Sequence, residues 1–407
     1  MEYTYVATCL FGLEHSLGEE IDALGYKRIQ TIDGRVIFRG GIEAAARCNL
    51  WLRCAERLFV MLGEFHADSF EALFEGTKRL PWEEWIGKND AFPVKGHAIK
   101  SRLYSIPDCQ SIVKKAIVER LKAKYGVSWF DESGATYSVE FFILNDSAML
   151  LIDLSGTALH KRGYRPVANM APLRETLASC LVKIARPRED VLFWDPMCGS
   201  GTIAIEAAMQ MANIAPGLRR SFVAETFVQI PKTVWLSARE EANDLIKNDC
   251  AFEAYASDID PECVEITKAN CTRAGVSKWV KAFNRNALEI KTGGRRGTVV
   301  CNPPYGERLF SMEETEALYR NMGKHFATLD AWQIYILTSH EGFEKLYGRR
   351  ADKVRKLYNG MIPCHFYQYF KKRDEAPIKG KPFDKKPFDK KPFDKKPDFK
   401  KKTWDKK

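Results

Sequence analysis

One short stretch limits the fold more than any other. Residues 191–194 form an apolar run that ends in Asp195-Pro196-Met197-Cys198-Gly199-Ser200-Gly201-Thr202 and opens directly into a helical pattern over 203–211. A strand, a tight glycine turn and a helix N-terminus in succession make a βα unit, and such units assemble into parallel sheet covered by helices. The glycines let the backbone approach a ligand, and the first helical turn offers unpaired N–H groups to an anion. The spacing is neither G-x-G-x-x-G nor G-x-x-x-x-G-K-S/T, so neither a dinucleotide nor a nucleoside triphosphate is the first expectation.

The same alternation continues downstream. A second strand near 254–257 ends in Asp258-Ile259-Asp260-Pro261 and enters a helix over 262–274. A carboxylate at that position holds ribose hydroxyls in such folds. Asp260, just before a proline, suits a helix cap, so the ribose is assigned to Asp258. A third strand, 279–283, leads to Asn286-Ala287. At the glycine turn Asp195 suits an ammonium while the helix start suits a carboxylate, and S-adenosylmethionine carries both groups at its amino-acid end.

A fourth apolar run, 298–301, stops at Asn302-Pro303-Pro304-Tyr305. Two prolines cannot keep donating to a ladder, so the chain is forced into a stiff turn at the carboxyl edge of the sheet, where open α/β sheets hold ligands. The Asn302 amide oxygen and the Pro303 carbonyl are two acceptors on a rigid frame, and Tyr305 adds an aromatic face. That set suits a flat base with an exocyclic amino group, whose hydrogens the acceptors take while the ring stacks. Taking those hydrogens localises the nitrogen lone pair and makes it a nucleophile. The plainer reading is a loop in which Pro-Pro ends a strand and Asn302 caps a turn. Beyond it come a helix at 313–329, a strand at 332–339, and two runs, 353–358 and 363–370, around Asn359-Gly360-Met361, a hairpin signal. A mostly parallel sheet closed by an antiparallel hairpin is expected.

The first 65 residues read as β-α-β-β-α-β, the ferredoxin-like order: strand 4–10, helix 14–24, a hairpin around Asp33-Gly34, helix 42–52 and a strand near 57–63. Short helical pieces at 70–75 and 82–85, an extended 94–100 and a helix at 110–125 follow. A hairpin around Asn145-Asp146 closes this region. Between Lys95 and Lys124 stand eight Lys/Arg against two acids. Lys100, Arg102, Lys114 and Lys115 from this stretch could track a phosphate backbone, though a solvated helix face is the plainer account. The connector Leu159-His160-Lys161-Arg162-Gly163-Tyr164-Arg165 is basic and aromatic. Lys161, Arg162 and Arg165 are further candidates for RNA contact. Otherwise the connector is a linker whose arginines pair with nearby carboxylates, and His160 is given no catalytic role.

Charge needs locating before it is used. Of 63 Lys/Arg and 53 Asp/Glu, 16 and 7 fall in residues 371–407, so the tail carries +9 of the net +10. The tail repeats Lys-Pro-Phe-Asp-Lys three times. Without a periodic apolar face it cannot offset its ordering entropy, so it is expected to be disordered. Eleven single cysteines without a C-x-x-C pair read as small hydrophobes in a reducing compartment rather than as disulfides or a metal site. No run of about 18 apolar residues occurs and the N-terminus lacks a signal pattern. A cytoplasmic location without membrane or metal is expected, and nothing fixes the oligomeric state.

Taken together, Asp195–Thr202, Ser257-Asp258-Ile259-Asp260 and Asn302-Pro303-Pro304-Tyr305-Gly306-Glu307-Arg308-Leu309 resemble class I S-adenosylmethionine-dependent RNA methyltransferases. More narrowly, the chain over residues 1–370 is similar to the THUMP-domain group related to the bacterial 23S rRNA guanine-N2 methyltransferases. The resemblance implies a Rossmann-like class I methyltransferase sheet with a terminal antiparallel hairpin, preceded by an α+β ferredoxin-like and THUMP region. The expected divisions are 1–65 (ferredoxin-like), 66–158 (THUMP), 159–370 (methyltransferase) and 371–407 (basic tail). It further implies that Asp195, Cys198, Gly199, Gly201 and Thr202 line the methionine end of the cofactor. Asp258 would hold the ribose and Asn286 would stand beside the adenine, where many members have an acid. Asn302, Pro303 and Tyr305 would hold the target base, with large-subunit rRNA as partner.

Two other functions fit parts of this pattern. An adenine-N6 DNA methyltransferase would use Asn-Pro-Pro-Tyr equally well, but an RNA-gripping front half would be idle on duplex DNA. A non-catalytic RNA-binding or ribosome-assembly factor is disfavoured by the intact glycine turn.

Overall fold

The computed structural model describes residues 2–166, 173–305 and 311–370. Two seven-stranded sheets organise this body. The first begins with β1 (Tyr3–Thr8), α1 (Glu14–Ala23), β2 (Lys27–Ile32), β3 (Arg35–Gly40), α2 (Glu43–Trp51) and β4 (Arg57–His66), the ferredoxin-like order expected. It continues with α3 (Phe70–Arg79), β5 (Val94–Ile99), α4 (Ile106–Tyr125), β6 (Val139–Leu144) and β7 (Ser147–Asp153). β4 pairs with β1 on one side and β7 on the other. The sheet therefore runs unbroken, as β2-β3-β1-β4-β7-β6-β5, across the division expected at residues 65 and 66. The β6–β7 hairpin turns on Asn145 (φ 49°) and Asp146 (φ 63°), the two positive angles a type I′ turn needs.

The second sheet is built from α5 (Glu175–Ala185), β8 (Leu192–Asp195), α6 (Thr202–Met211), α7 (Lys232–Asp244), β9 (Ala254–Asp258), α8 (Pro261–Ala274), β10 (Val280–Asn284) and β11 (Gly297–Cys301). It is completed by α9 (Met312–Phe326), β12 (Trp332–Thr338), α10 (Phe343–Tyr347), β13 (Lys353–Asn359) and β14 (Ile362–Tyr369). Its strand order is β10-β9-β8-β11-β12-β14-β13. β10, β9, β8, β11 and β12 are mutually parallel, and β14 and β13 add an antiparallel edge. β8 and β11 are buried along their whole length, as central parallel strands covered on both faces must be.

α5 was not foreseen. Nine of its residues are buried, including Glu175, Thr176 and Ser179, so its polar positions face protein rather than solvent. One continuous apolar core contains Tyr5 and Leu58 of the first half together with Leu177, Phe193 and Ala256 of the second.

The connector departs from one expectation. Arg162 is buried; it donates to the carbonyls of Leu159 (2.6 Å) and Arg53 (2.5 Å) and stands 3.7 Å from the Glu206 carboxylate. Arg165 is likewise turned inward, pairing with Glu175 at 3.0 Å. Neither guanidinium faces outward toward RNA; the linker reading, arginines meeting nearby carboxylates, accounts for both. His160 Nδ1 donates to the Glu56 carboxylate at 2.9 Å. The basic tail expected to be disordered, and Gly306-Glu307-Arg308-Leu309, lie outside the described residues. Among the described residues no helix is long and apolar enough to cross a membrane, and no group of three or more His, Cys, Asp or Glu could hold a metal ion.

Candidate functional site

The carboxyl ends of β8, β9, β10 and β11 open onto one cleft of about 1290 Å³. The glycine turn after β8 and the double-proline corner after β11 both wall it, so one small molecule can meet both.

On the glycine side, Asp195 is buried at the end of β8 and accepts from the Met197 amide at 3.3 Å. Burial pushes its carboxyl well above the ordinary range, and the Asp258 carboxylate adds to the shift. Asp258 ties its strand to the turn: one oxygen accepts from the Gly199 amide at 2.9 Å and the other from the Asp260 amide at 3.1 Å. Asp260 caps α8 by accepting from the Glu262 amide at 2.9 Å, with Pro261 in the first turn. Asp260 therefore forms the cap that local sequence suggests, and both acids line the cleft.

Gly199, Cys198 and Thr202 also line the cleft, whereas Gly201 is not among its walls. Gly201 takes φ +81°, and a Cβ there would stand 2.6 Å from Thr267 Cγ2. It is a glycine because α8 packs behind the turn rather than because a ligand lies before it. The Cys198 thiol, 3.5 Å from Thr267 Oγ1, is held well above its usual range by burial and then by Asp195, so it stays protonated. Thr202 Oγ1 accepts from Arg165 at 2.8 Å, so this connector arginine braces the first turn of α6. Asn286 caps a short turn, its amide oxygen accepting from Leu288 N at 2.9 Å.

On the proline side, the Asn302 Oδ1 atom is buried and finds no donor among the described residues. Buried acceptors are almost always paired, so this one can take a hydrogen from a ligand in the cleft that Asn302 lines. The corner is held from behind by Tyr319, whose hydroxyl donates to the Pro304 carbonyl at 3.0 Å and meets Thr338 Oγ1 at 2.9 Å. Pro303 is buried in the cleft wall. The Tyr305 hydroxyl accepts from Asn359 Nδ2 at 2.8 Å, and burial raises its phenol, which stays neutral.

Several cleft residues carried no sequence signal of their own. Ile259, two-thirds exposed, and Leu288 add apolar surface beside Asp258 and Asn286. Ser339 follows β12, and Asn359, Gly360 and Ile362 come from the β13–β14 turn. The Asn-Gly pair had been read for its backbone alone. A buried carboxylate, a second carboxylate on a strand end, a helix N-terminus and flanking apolar side chains together fit a ligand with an ammonium, ribose hydroxyls, a carboxylate and a flat base.

Of the remaining basic candidates, Lys100, Lys115 and Lys161 are exposed. Arg102 is exposed and pairs with Asp68 at 2.9 Å. Lys114 is spent inside its own module, donating to the Phe92 carbonyl and to Glu132 at 3.0 Å each.

Three family profiles match the chain: "RMKL-like, methyltransferase domain" over residues 162–368, "RlmL ferredoxin-like domain" over 4–59 and "THUMP domain" over 67–153. "Putative RNA methyltransferase YpsC" of Bacillus subtilis is 46% identical over 373 residues, covering 91% of this chain and 97% of that protein. "Ribosomal RNA large subunit methyltransferase K/L" of Psychromonas ingrahamii is 33% identical, covering 88% of this chain but 49% of that protein; the chain spans about half the length of the K/L relatives. Among solved structures, "SMU.472, a putative methyltransferase complexed with SAH" superposes with a TM-score of 0.87 at 39% identity, covering 92% of this chain and 99% of that one. A "predicted N6-adenine-specific DNA methylase" from Listeria monocytogenes does so with 0.86 at 45% identity, covering 91% and 96%.

Proposed function

The chain belongs to the RMKL-like methyltransferase family, and on that premise we propose that it transfers a methyl group from S-adenosylmethionine to an exocyclic amine of a base in RNA, guanine N2 of large-subunit rRNA first among them. The observation that carries this reading is the buried Asn302 oxygen, without a donor among the described residues, in the same cleft as Asp195 and the glycine turn. A cytoplasmic location goes with it.

In this reading Asp195 receives the cofactor's ammonium, the α6 N-terminus its carboxylate, and Asp258 its ribose hydroxyls. Asn286 offers its amide NH₂ group toward the adenine, since its oxygen is committed to Leu288. The cofactor supplies a sulfonium-bound methyl, already a strong electrophile, so the protein's work is positioning and desolvation. Asn302 Oδ1 and the Pro303 carbonyl draw off the two amine hydrogens, leaving the nitrogen lone pair directed at the methyl. Tyr305 offers its face to the base, and the amine proton passes to water after transfer. Residues 1–158 grip the RNA, with Lys100, Arg102, Lys115 and Lys161 as the exposed cations; 159–370 perform the chemistry.

Incubation with methyl-labelled cofactor and either an unmodified 23S rRNA transcript or DNA tests the reading. Label is expected in RNA, at guanine on nucleoside mass spectrometry. Label entering only DNA would overturn the RNA assignment in favour of adenine-N6 chemistry, and cofactor binding without transfer to either would favour a non-catalytic factor.

A further inference from the structure

The β13–β14 turn stands in the wall of the cleft, and its backbone does not account for one of its residues. Asn359 pairs with Ile362, so the two-residue loop is Gly360-Met361 and not Asn359-Gly360. Gly360, at φ +66°, supplies the left-handed first position of a type II′ turn. Asn359 is therefore the last residue of the strand, one step before the turn, and the positive φ that the turn needs comes from Gly360 rather than from it. Its side chain instead enters the cleft wall and donates to the Tyr305 hydroxyl at 2.8 Å.

Tyr305 needs such a tether. The two prolines before it lock backbone angles but leave the tyrosine χ1 and χ2 free. A ring that must lie parallel to an incoming base has to be held by something outside its own backbone. The β13–β14 hairpin can do this because it is itself held: β14 pairs along β12, Leu357 and Cys364 are buried, and the Tyr358 ring meets Phe11 of the first sheet's β1–α1 loop at 5.9 Å, edge to face. The hairpin thus joins the front module to the corner that presents the base site.

We infer that Asn359 is a positioning residue for methyl transfer, setting the Tyr305 ring in the plane the target base must stack against; this rests on the reading of Asn302-Pro303-Pro304-Tyr305 as the base site. Asn359 touches neither the cofactor end of the cleft nor the reacting atoms, so its effect should fall on turnover with bound RNA and spare cofactor affinity.

The test is a double-mutant cycle in the full chain, with labelled S-adenosylmethionine and an unmodified 23S rRNA transcript. Losing one neutral hydrogen bond and the ring order it sets should lower kcat about 10-fold in Asn359→Ala and in Tyr305→Phe alike. The double variant should be no slower than Tyr305→Phe alone, because that change already removes the Asn359 contact together with the hydroxyl's 3.9 Å contact with Cys364 Sγ. Cofactor Kd by calorimetry and the melting temperature should stay at wild-type values. Effects that multiply in the double variant, an Asn359→Ala protein as fast as wild type, or one whose melting temperature and cofactor affinity fall together would each overturn the positioning role. A wild-type chain that transfers label to no nucleic acid would instead remove the base-site reading beneath it, an outcome visible before any variant is made.

Discussion

Asn302 Oδ1 is buried without a donor among the described residues, and Asp195 is a buried carboxyl in the same cleft. Asn302→Ala deletes an acceptor that no described group satisfies. Folding stability and cofactor Kd should hardly change, while kcat falls about 10²- to 10³-fold, the size seen when one preorganised polar contact at a reacting centre is removed. Single-turnover methyl transfer beside calorimetry separates the two effects. Asp195 has its carboxyl raised by burial and by Asp258. An acid whose folded value exceeds its unfolded value contributes stability below the unfolded value and loses it as pH rises through the folded one. Melting temperature of the ligand-free protein should therefore fall on going alkaline through that raised value. Asp195→Asn should flatten that slope while weakening cofactor binding about 10- to 100-fold, the loss expected for a hydrogen bond to a charged group. Local sequence was enough to separate Asp258 from Asp260, because a proline at the first helical position marks the cap. It could not reveal that the Asn302 oxygen lacks a donor, since that depends on what every neighbouring element leaves unfilled.

Elements were readable where their own period or turn chemistry was strong. The β-α-β-β-α-β start, the Asn145-Asp146 hairpin and the strand-turn-helix at Asp195 all form as their residues suggest. α5 is the exception: its period is present in the residues, but it follows the connector with no glycine turn or other motif to mark its start, and its polar positions Glu175, Thr176 and Ser179 are buried by the rest of the fold. The glycine turn was found for a partly mistaken reason. Gly201 answers to Thr267 of α8, and substitution should expose this: Gly201→Ala forces a Cβ into the left-handed region and against Thr267, costing about 1–3 kcal/mol. Urea unfolding should show the loss. It should shrink in a Thr267→Ala background, where the contacts with Cγ2 and Oγ1 are gone and a 3.2 Å contact with the Thr267 Cβ remains beside the backbone strain.

Across the whole described body, the two sheets share one core and are fastened by a polar seam. Glu56 is its hub, accepting from Thr176, from Arg174 at 2.9 Å and meeting His160 at 2.9 Å. Arg47 pairs with Glu241 at 2.8 Å, and Lys183 donates to the Ser16 carbonyl at 2.7 Å. Burial raises the Glu56 carboxyl, but the hydrogen bonds from His160 and Thr176, with the cations beside it, outweigh burial and leave it lowered. A lowered acid contributes stability above its unfolded value and loses it as pH falls through the folded one. Glu56→Gln should cost about 1–3 kcal/mol at neutral pH and less below pH ~4, where wild type has lost the same interaction. Calorimetry across pH should show one transition for both proteins; two separated transitions would mean that the halves unfold independently.

Most of the strands and helices and the Asn145-Asp146 turn follow from spacing along the chain, because each depends on a few consecutive residues. Which charges face outward does not. Arg162, Arg165 and Lys114 have the composition of an RNA-binding surface, yet Arg162 is spent on the Arg53 carbonyl, Arg165 on Glu175 and the Thr202 hydroxyl, and Lys114 on the Phe92 carbonyl and Glu132. Asn359 is the converse: an ordinary hairpin residue by its neighbours, drawn to Tyr305 across 54 positions. Pairings between residues far apart in sequence arise only when the packed elements choose their partners, and so only the folded chain could assign them.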